Sequence, residues 1–394
     1  MKWTNCGHEL DDYAEILRKL HITSIYIFGC GEYGIPLADL LLQKNLFAGF
    51  IDNNQEKQGR FERGRQILSL ENYVKSEAYR NSHIVVAASA YNQEIIKEQL
   101  NQSGLIEGRD FFLYNDFLYK IYPIIMTYEY DTSFVALAQI SLTERCTLKC
   151  KKCAHACYAV SKETEDLLLD EVYRSADEFF AKVDMIQEFV LIGGEPLLYQ
   201  QLGDAITYIG EKYREQINLF CITTNGTIVP SEQILKLCKK YNVLFRISNY
   251  TVALPRLERN IRLLVEALEK YEITYILNNP DLAWMDYGFE SFERVEDETE
   301  WIKAFSECGT PCREVRNSHY YYCVMARSVS ENLNFGVGED DYLDLRELDG
   351  AGYKKRLLEY NLGYSNKGYL DMCRYCRGKD ANNYPIPAAE QVKL

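Results

Sequence analysis

The chain has 394 residues, 47% hydrophobic and 26% charged, with a formal net charge of -14. That length supports two or three cores, and the composition is that of a globular protein. The acidic balance argues against a large nucleic-acid footprint. No apolar stretch has the length to cross a bilayer, and no early apolar run carries a basic flank and cleavage site; the expectation is a cytoplasmic protein without a membrane span. In such a chain thirteen cysteines read as metal ligands or catalytic groups, and the odd number suits disulfide pairing poorly.

Residues 24–28 (SIYIF) form an apolar, β-rich run that passes straight into Gly29-Cys30-Gly31-Glu32-Tyr33-Gly34. A helical pattern follows, IPLADLLLQK, with Pro36 tolerated in its first turn. A second strand, FAGFID, ends at Asp52, and a third covers residues 83–90 ahead of a helix from Asn92. This alternation predicts a Rossmann-like parallel sheet over residues 1–115. In that reading Gly29 makes the tight turn, Gly31 admits a phosphate to the backbone, Gly34 lets helix pack on strand, and Asp52 accepts from a ribose. NAD or another nucleotide is the implied ligand; the alternative is a docking module that keeps the fold without the ligand. The segment is similar to N-terminal domains of some bacterial surface-sugar biosynthesis proteins.

A tyrosine-rich join, residues 116–133, leads to a second α/β domain over residues 134–299. Its first strand, AQISL at 138–142, precedes Cys146, Cys150 and Cys153 in the run CTLKCKKC. A helix is expected over 165–182. The next strand, EFVLI at 188–192, ends at Gly193-Gly194-Glu195-Pro196, and NLFCI at 218–222 ends at Thr223-Thr224-Asn225-Gly226. Helix 231–241, strand VLFRI ending at Ser248-Asn249, helix 255–271 and strand ITYIL complete the pattern. Strands with polar or glycine residues just beyond their C-terminal ends predict a partial (β/α)6 barrel of TIM type with its site at that end. The C-x3-C-x2-C spacing supplies three thiolates to a 4Fe–4S cube and leaves its fourth iron open for chemistry. The rival is a zinc site completed by His155 or Cys157.

Residues 300–394 are turn-rich and hold Cys308, Cys312, Cys323, Cys373 and Cys376. Little apolar patterning with many thiols predicts a small domain folded around a metal. Cys312, Cys323, Cys373 and Cys376 are the expected ligands of one auxiliary 4Fe–4S cluster, with Cys308 the alternate for Cys312; a zinc ribbon is the rival.

Residues 134–377 resemble a radical S-adenosylmethionine (SAM) enzyme. The resemblance rests on Cys146-x3-Cys150-x2-Cys153, Gly193-Gly194-Glu195, Thr224-Asn225-Gly226 and the C-terminal cysteine set, in that order. It implies that SAM chelates the open iron, with Gly193, Gly194, Glu195, Asn225, Ser248 and Asn249 around it. Glu195 or nearby carbonyls would accept from its amine. Lys152 departs from the aromatic residue common before the last motif cysteine, which places the usual adenine contact in question. The C-terminal segment resembles a twitch domain, the shortened relative of SPASM, with Ser318 where the pattern often has glycine. The implied activity is reductive cleavage of SAM to a 5′-deoxyadenosyl radical, which takes hydrogen from a sugar, nucleotide-sugar or similar small polar substrate in a dehydrogenation, epimerisation or dehydration. A flavodoxin or ferredoxin would supply electrons. The sequence names no catalytic acid, base or radical quencher, and no oligomeric state. The rival activities are a radical SAM peptide maturase, an NAD-dependent oxidoreductase and a non-catalytic iron–sulfur scaffold.

Overall fold

The computed structural model describes residues 6–289, 297–364, 367–378 and 383–392, divided into two units, Leu10–Thr132 and Ser133–Leu394, the latter joined by Met1–Glu9. In the first unit the short apolar runs become β1 (Ile25–Phe28), β2 (Phe47–Ile51), β3 (Phe61–Glu62), β4 (Arg65–Leu68), β5 (His83–Val86) and β6 (Phe111–Leu113). They line up in the order β3-β4-β2-β1-β5-β6, parallel except for the β3–β4 hairpin. Helices Gly34–Leu42 and Ala90–Gln102 follow β1 and β5. Strands covered on both faces are apolar throughout, which is why β1, β2 and β5 read as continuous runs.

Two of the fingerprint glycines sit where the fold leaves no room for a side chain. Gly29 has φ +117°, and a Cβ there would stand 2.3 Å from the Ala87 carbonyl oxygen; one on Gly34 would stand 1.8 Å from that of Gly29. Asp52 is engaged within the protein. It is 8% exposed; its Oδ2 accepts from the Cys30 amide at 2.9 Å and Lys57 Nζ at 3.3 Å, and its Oδ1 accepts from the Asn54 amide at 2.8 Å. Because β2 lies beside β1, the carboxylate after β2 reaches the glycine loop itself and satisfies its buried amide. The segment expected as a join is helical. A π-helical turn, Phe117–Ile121, runs into Tyr122–Glu129, and the apolar side chains of Phe117, Leu118, Ile124 and Met126 are buried.

The second unit contains β7 (Phe134–Ser141), β8 (Met185–Ile192), β9 (Ile217–Thr224), β10 (Val243–Ile247), β11 (Tyr275–Leu277), β12 (Trp284–Met285), β13 (Arg313–Arg316), β14 (His319–Tyr321), β15 (Tyr342–Asp344) and β16 (Pro385–Ile386). The main sheet has the order β11-β10-β9-β8-β7-β13-β14-β15. β7 to β11 and β13 are parallel; the β13–β14 and β14–β15 pairs are antiparallel. The sixth parallel strand therefore comes from the C-terminal segment and docks beside β7, so the sheet continues across the expected boundary at residue 299. Asn317 and Ser318, at φ +50° and +67°, make the β13–β14 turn, which explains the preference for glycine at the Ser318 position. Helices Leu169–Phe180, Leu202–Lys212, Glu232–Lys240 and Glu258–Lys270 turn one apolar face to the sheet. Their buried residues meet Phe189, Phe220 and Phe245 in one core. The amides of Gly7 and Glu9 donate to the Glu359 carboxylate at 2.7 and 2.9 Å, which fixes residues 7–9 to this unit.

Candidate functional site

The C-terminal ends of β8, β9 and β10 and the cysteine loop after β7 surround a cavity of about 380 Å³. Cys146, Cys150 and Cys153 line it together with Gly193, Gly194, Asn225 and Ser248. Glu195 and Asn249 are not among the lining residues. Tyr250, Trp284 and Tyr287 are, though sequence reasoning passed over them. Tyr250 and Trp284 meet edge to face, 5.5 Å between centroids.

The Gly193-Gly194-Glu195 segment holds the cysteine loop. A Cβ on Gly193 would lie 2.2 Å from the Thr143 carbonyl oxygen, and one on Gly194 would lie 2.3 Å from that of Arg145. The amides of Gly194 and Glu195 donate to those same two carbonyls at 2.8 and 2.9 Å. The glycines are thus required by backbone packed on backbone, besides any ligand. Glu195 is engaged within the protein. It is wholly buried; its Oε1 accepts from the Leu197 amide at 3.1 Å and the Thr224 hydroxyl at 2.8 Å, and its Oε2 accepts from the Asn225 amide at 2.9 Å. The carboxyl ties the end of β8 to the end of β9, and burial pushes its pKa up to about 7.

Asn225 does the next piece of positioning. Its Nδ2 donates to Thr147 Oγ1 at 3.0 Å and to Cys146 Sγ at 3.5 Å, while its Oδ1 accepts from the Thr227 amide and hydroxyl. Asn249 closes a local turn, accepting from the amide and hydroxyl of Thr251. Lys152, at φ +58°, pairs with the buried carboxylate of Asp286 at 3.4 Å. Behind the loop, Arg327 is fully buried; it bonds Glu144, two residues before Cys146, and Glu314 at 2.6 Å. Arg316 reaches Glu144 at 3.3 Å.

Burial raises the thiols of Cys146 and Cys150 to about 11 and 12. The Cys157 thiol bonds the Cys153 sulfur, which lowers Cys153 and raises Cys157. A cationic metal stabilises cysteine sulfurs as thiolates, including those such as Cys146 and Cys150 whose burial resists ionisation. Three of them around one cavity fit an iron–sulfur cube with an uncommitted corner. His155 lines the same cavity, with its Nδ1 buried and unpaired. Among the described residues, no three His, Cys, Asp or Glu side chains converge on the position of a single metal ion.

A second, apolar cavity is lined by Cys308, Cys323, Cys373 and Cys376, with Phe305, Met325 and Met372. Cys308 lines this cavity, and Cys312 is not among its lining residues; the Cys312 carbonyl accepts from the Val324 amide at 3.0 Å. The helix Glu298–Glu307 ends at Cys308 and brings that thiol to the cavity, a placement that cysteine spacing offers only as the alternate to Cys312. Tyr287 lines both cavities.

Residues 140–254 match the Radical SAM superfamily. Two curated relatives are named GTP 3′,8-cyclase. That of Ectopseudomonas mendocina (strain ymp) is 29% identical over 93 residues, 24% of this chain and 27% of the cyclase. That of Stenotrophomonas maltophilia (strain R551-3) is 35% identical over 92 residues, 23% and 27% of the two chains. The chain thus spans about a quarter of the length of these relatives. Among solved structures, BtrN in complex with AdoMet and 2-DOIA aligns over 65% of this chain and all of that one, with 17% identity and a TM-score of 0.42. Among the described residues, no helix is long and apolar enough to cross a membrane.

Proposed function

Because the chain carries a radical SAM domain, we propose that it takes hydrogen from a small polar substrate, a sugar or nucleotide-sugar, and that a second iron–sulfur cluster accepts an electron from the product radical. The cofactors of the domain are a 4Fe–4S cluster and SAM, and Cys146, Cys150 and Cys153 are the residues that would hold the cluster. When bound, they supply one-electron cleavage of the sulfonium to methionine and a 5′-deoxyadenosyl radical. The chain's own contribution is positional. Asn225, Glu195 and the two glycines fix the cysteine loop, and the ends of β8 to β10 shape the cavity.

The observation that carries the reading is Tyr287, which borders the first cavity and also the four-thiol cavity beyond it. A substrate lying against Tyr287 is one side chain away from an electron acceptor, an arrangement suited to net oxidation. Cys308, Cys323, Cys373 and Cys376 are the proposed auxiliary ligands. Lys152 brings a positive charge to the cavity wall, backed by the buried Asp286 carboxylate, suited to a polar substrate. The likeness to the cyclases covers about a quarter of the chain, so GTP enters the substrate panel as one candidate.

The test is anaerobic reconstitution followed by iron counting and assay of 5′-deoxyadenosine with sugars, nucleotide-sugars and GTP. The expected result is release of 5′-deoxyadenosine that disappears when Cys146, Cys150 and Cys153 are all replaced by Ala. Cleavage that survives the triple replacement refutes the cofactor assignment. Substrate turnover without a change in the oxidation state of the second cluster refutes the oxidative role.

A further inference from the structure

The segment 383–392 returns across the fold and straps the cysteine loop. β16 pairs antiparallel with β12, and an antiparallel bridge then joins Gln391 to Cys150. The Lys151 amide donates to the Glu390 carbonyl at 2.6 Å, and the Val392 amide to the Lys149 carbonyl at 2.8 Å. Ala389, fully buried, packs with Leu148 and Cys150. The Gln391 side chain completes the strap. Its Oε1 accepts from the Lys149 amide at 2.9 Å; its Nε2 donates to the Ala389 carbonyl at 2.8 Å and to Cys150 Sγ at 3.1 Å. A backbone N–H can only donate, so the Lys149 contact fixes which end of the amide is oxygen and aims the nitrogen at sulfur.

We propose that Gln391 is a positioning residue that sets the electron affinity of the cluster held by Cys146, Cys150 and Cys153, through its N–H···S bond to Cys150. This rests on the cluster assignment above. Hydrogen bonds to ligand sulfurs are among the levers on cluster potential. A donor stabilises the added negative charge of the reduced cube, so its loss makes reduction harder. The strap lies 241 residues away in sequence from the loop it serves, and it ties the loop to β12, the strand that carries Trp284 into the cavity.

The experiment is a potentiometric titration of the SAM-sensitive electron paramagnetic resonance signal in the reconstituted full chain. Gln391→Glu keeps an acceptor for Lys149 and loses the donor to sulfur; Gln391→Met loses both without adding charge. In both variants the reduction equilibrium is expected to shift severalfold toward the oxidised form at full iron content, a tenfold shift being about 59 mV for one electron. Unchanged potentials overturn the proposal. So does a shift in Gln391→Glu alone, which would be a charge effect, and so does loss of the cluster from both variants, which would make the residue a loop clamp. Absence of any SAM-sensitive signal in the wild type would instead overturn the cofactor assignment.

Discussion

Glu195 separates two accounts of the site. As a ligand contact it would accept from the cationic amine of SAM, and its loss would remove a charge-assisted bond of about 1.5–3 kcal/mol, roughly a 10- to 150-fold loss in affinity. As a strut it holds the amides of Leu197 and Asn225 and the Thr224 hydroxyl. Replacing it by Gln leaves one of the two buried amides facing an NH2 group, at a cost of about 1–3 kcal/mol; replacing it by Ala leaves both unpaired, about 2–6 kcal/mol. The structure predicts the second pattern: lowered urea midpoints at matched iron content, Ala below Gln, with SAM affinity in Glu195→Gln within a few-fold of wild type. The same carboxyl gives a pH signature. Its folded pKa, about 7, lies above the ordinary 4.5. The native state therefore holds a proton that the unfolded chain releases, and stability falls as pH rises from 4.5 through 7, by at most about 3 kcal/mol. Glu195→Gln should flatten that slope. A large loss of SAM affinity with an unchanged midpoint and an unchanged pH slope refutes the strut.

Three further outcomes follow from the geometry. Arg327→Met leaves Glu144 and Glu314 buried without their shared partner and is expected to cost about 3–5 kcal/mol in anaerobic urea unfolding; under 1 kcal/mol counts against the buried network. Gly194→Ala, whose methyl would press on the Arg145 carbonyl at 2.3 Å, should reduce iron retention at the first cluster, whereas Gly31→Ala, with nothing within 4 Å, should leave iron content unchanged. Cys308→Ser should lower the iron count by about four atoms while Cys312→Ser retains it; the reverse result returns the fourth ligand to Cys312.

The sequence alone determined what local pattern encodes. Three thiols within eight residues, glycines at strand ends, and alternating β runs and amphipathic helices each state their role through nearest neighbours. From these came the first unit's parallel sheet, the barrel strands β7 to β10 and the cysteine loop. Tertiary structure decided whatever depends on which strand ends become neighbours. Asp52 and Glu195 carry side chains suited to a ligand, yet each is consumed by an amide from the adjacent strand's loop, because a parallel sheet sets successive C-terminal ends side by side. Cys308 enters its cavity by the angle of a helix end, β13 joins β7 across more than 170 residues, and Gln391 meets Cys150 through a returning strap. Spacing carries no record of such contacts. They arise only when the chain's distant parts bury their apolar faces together and their backbone donors and acceptors must find partners at the seam.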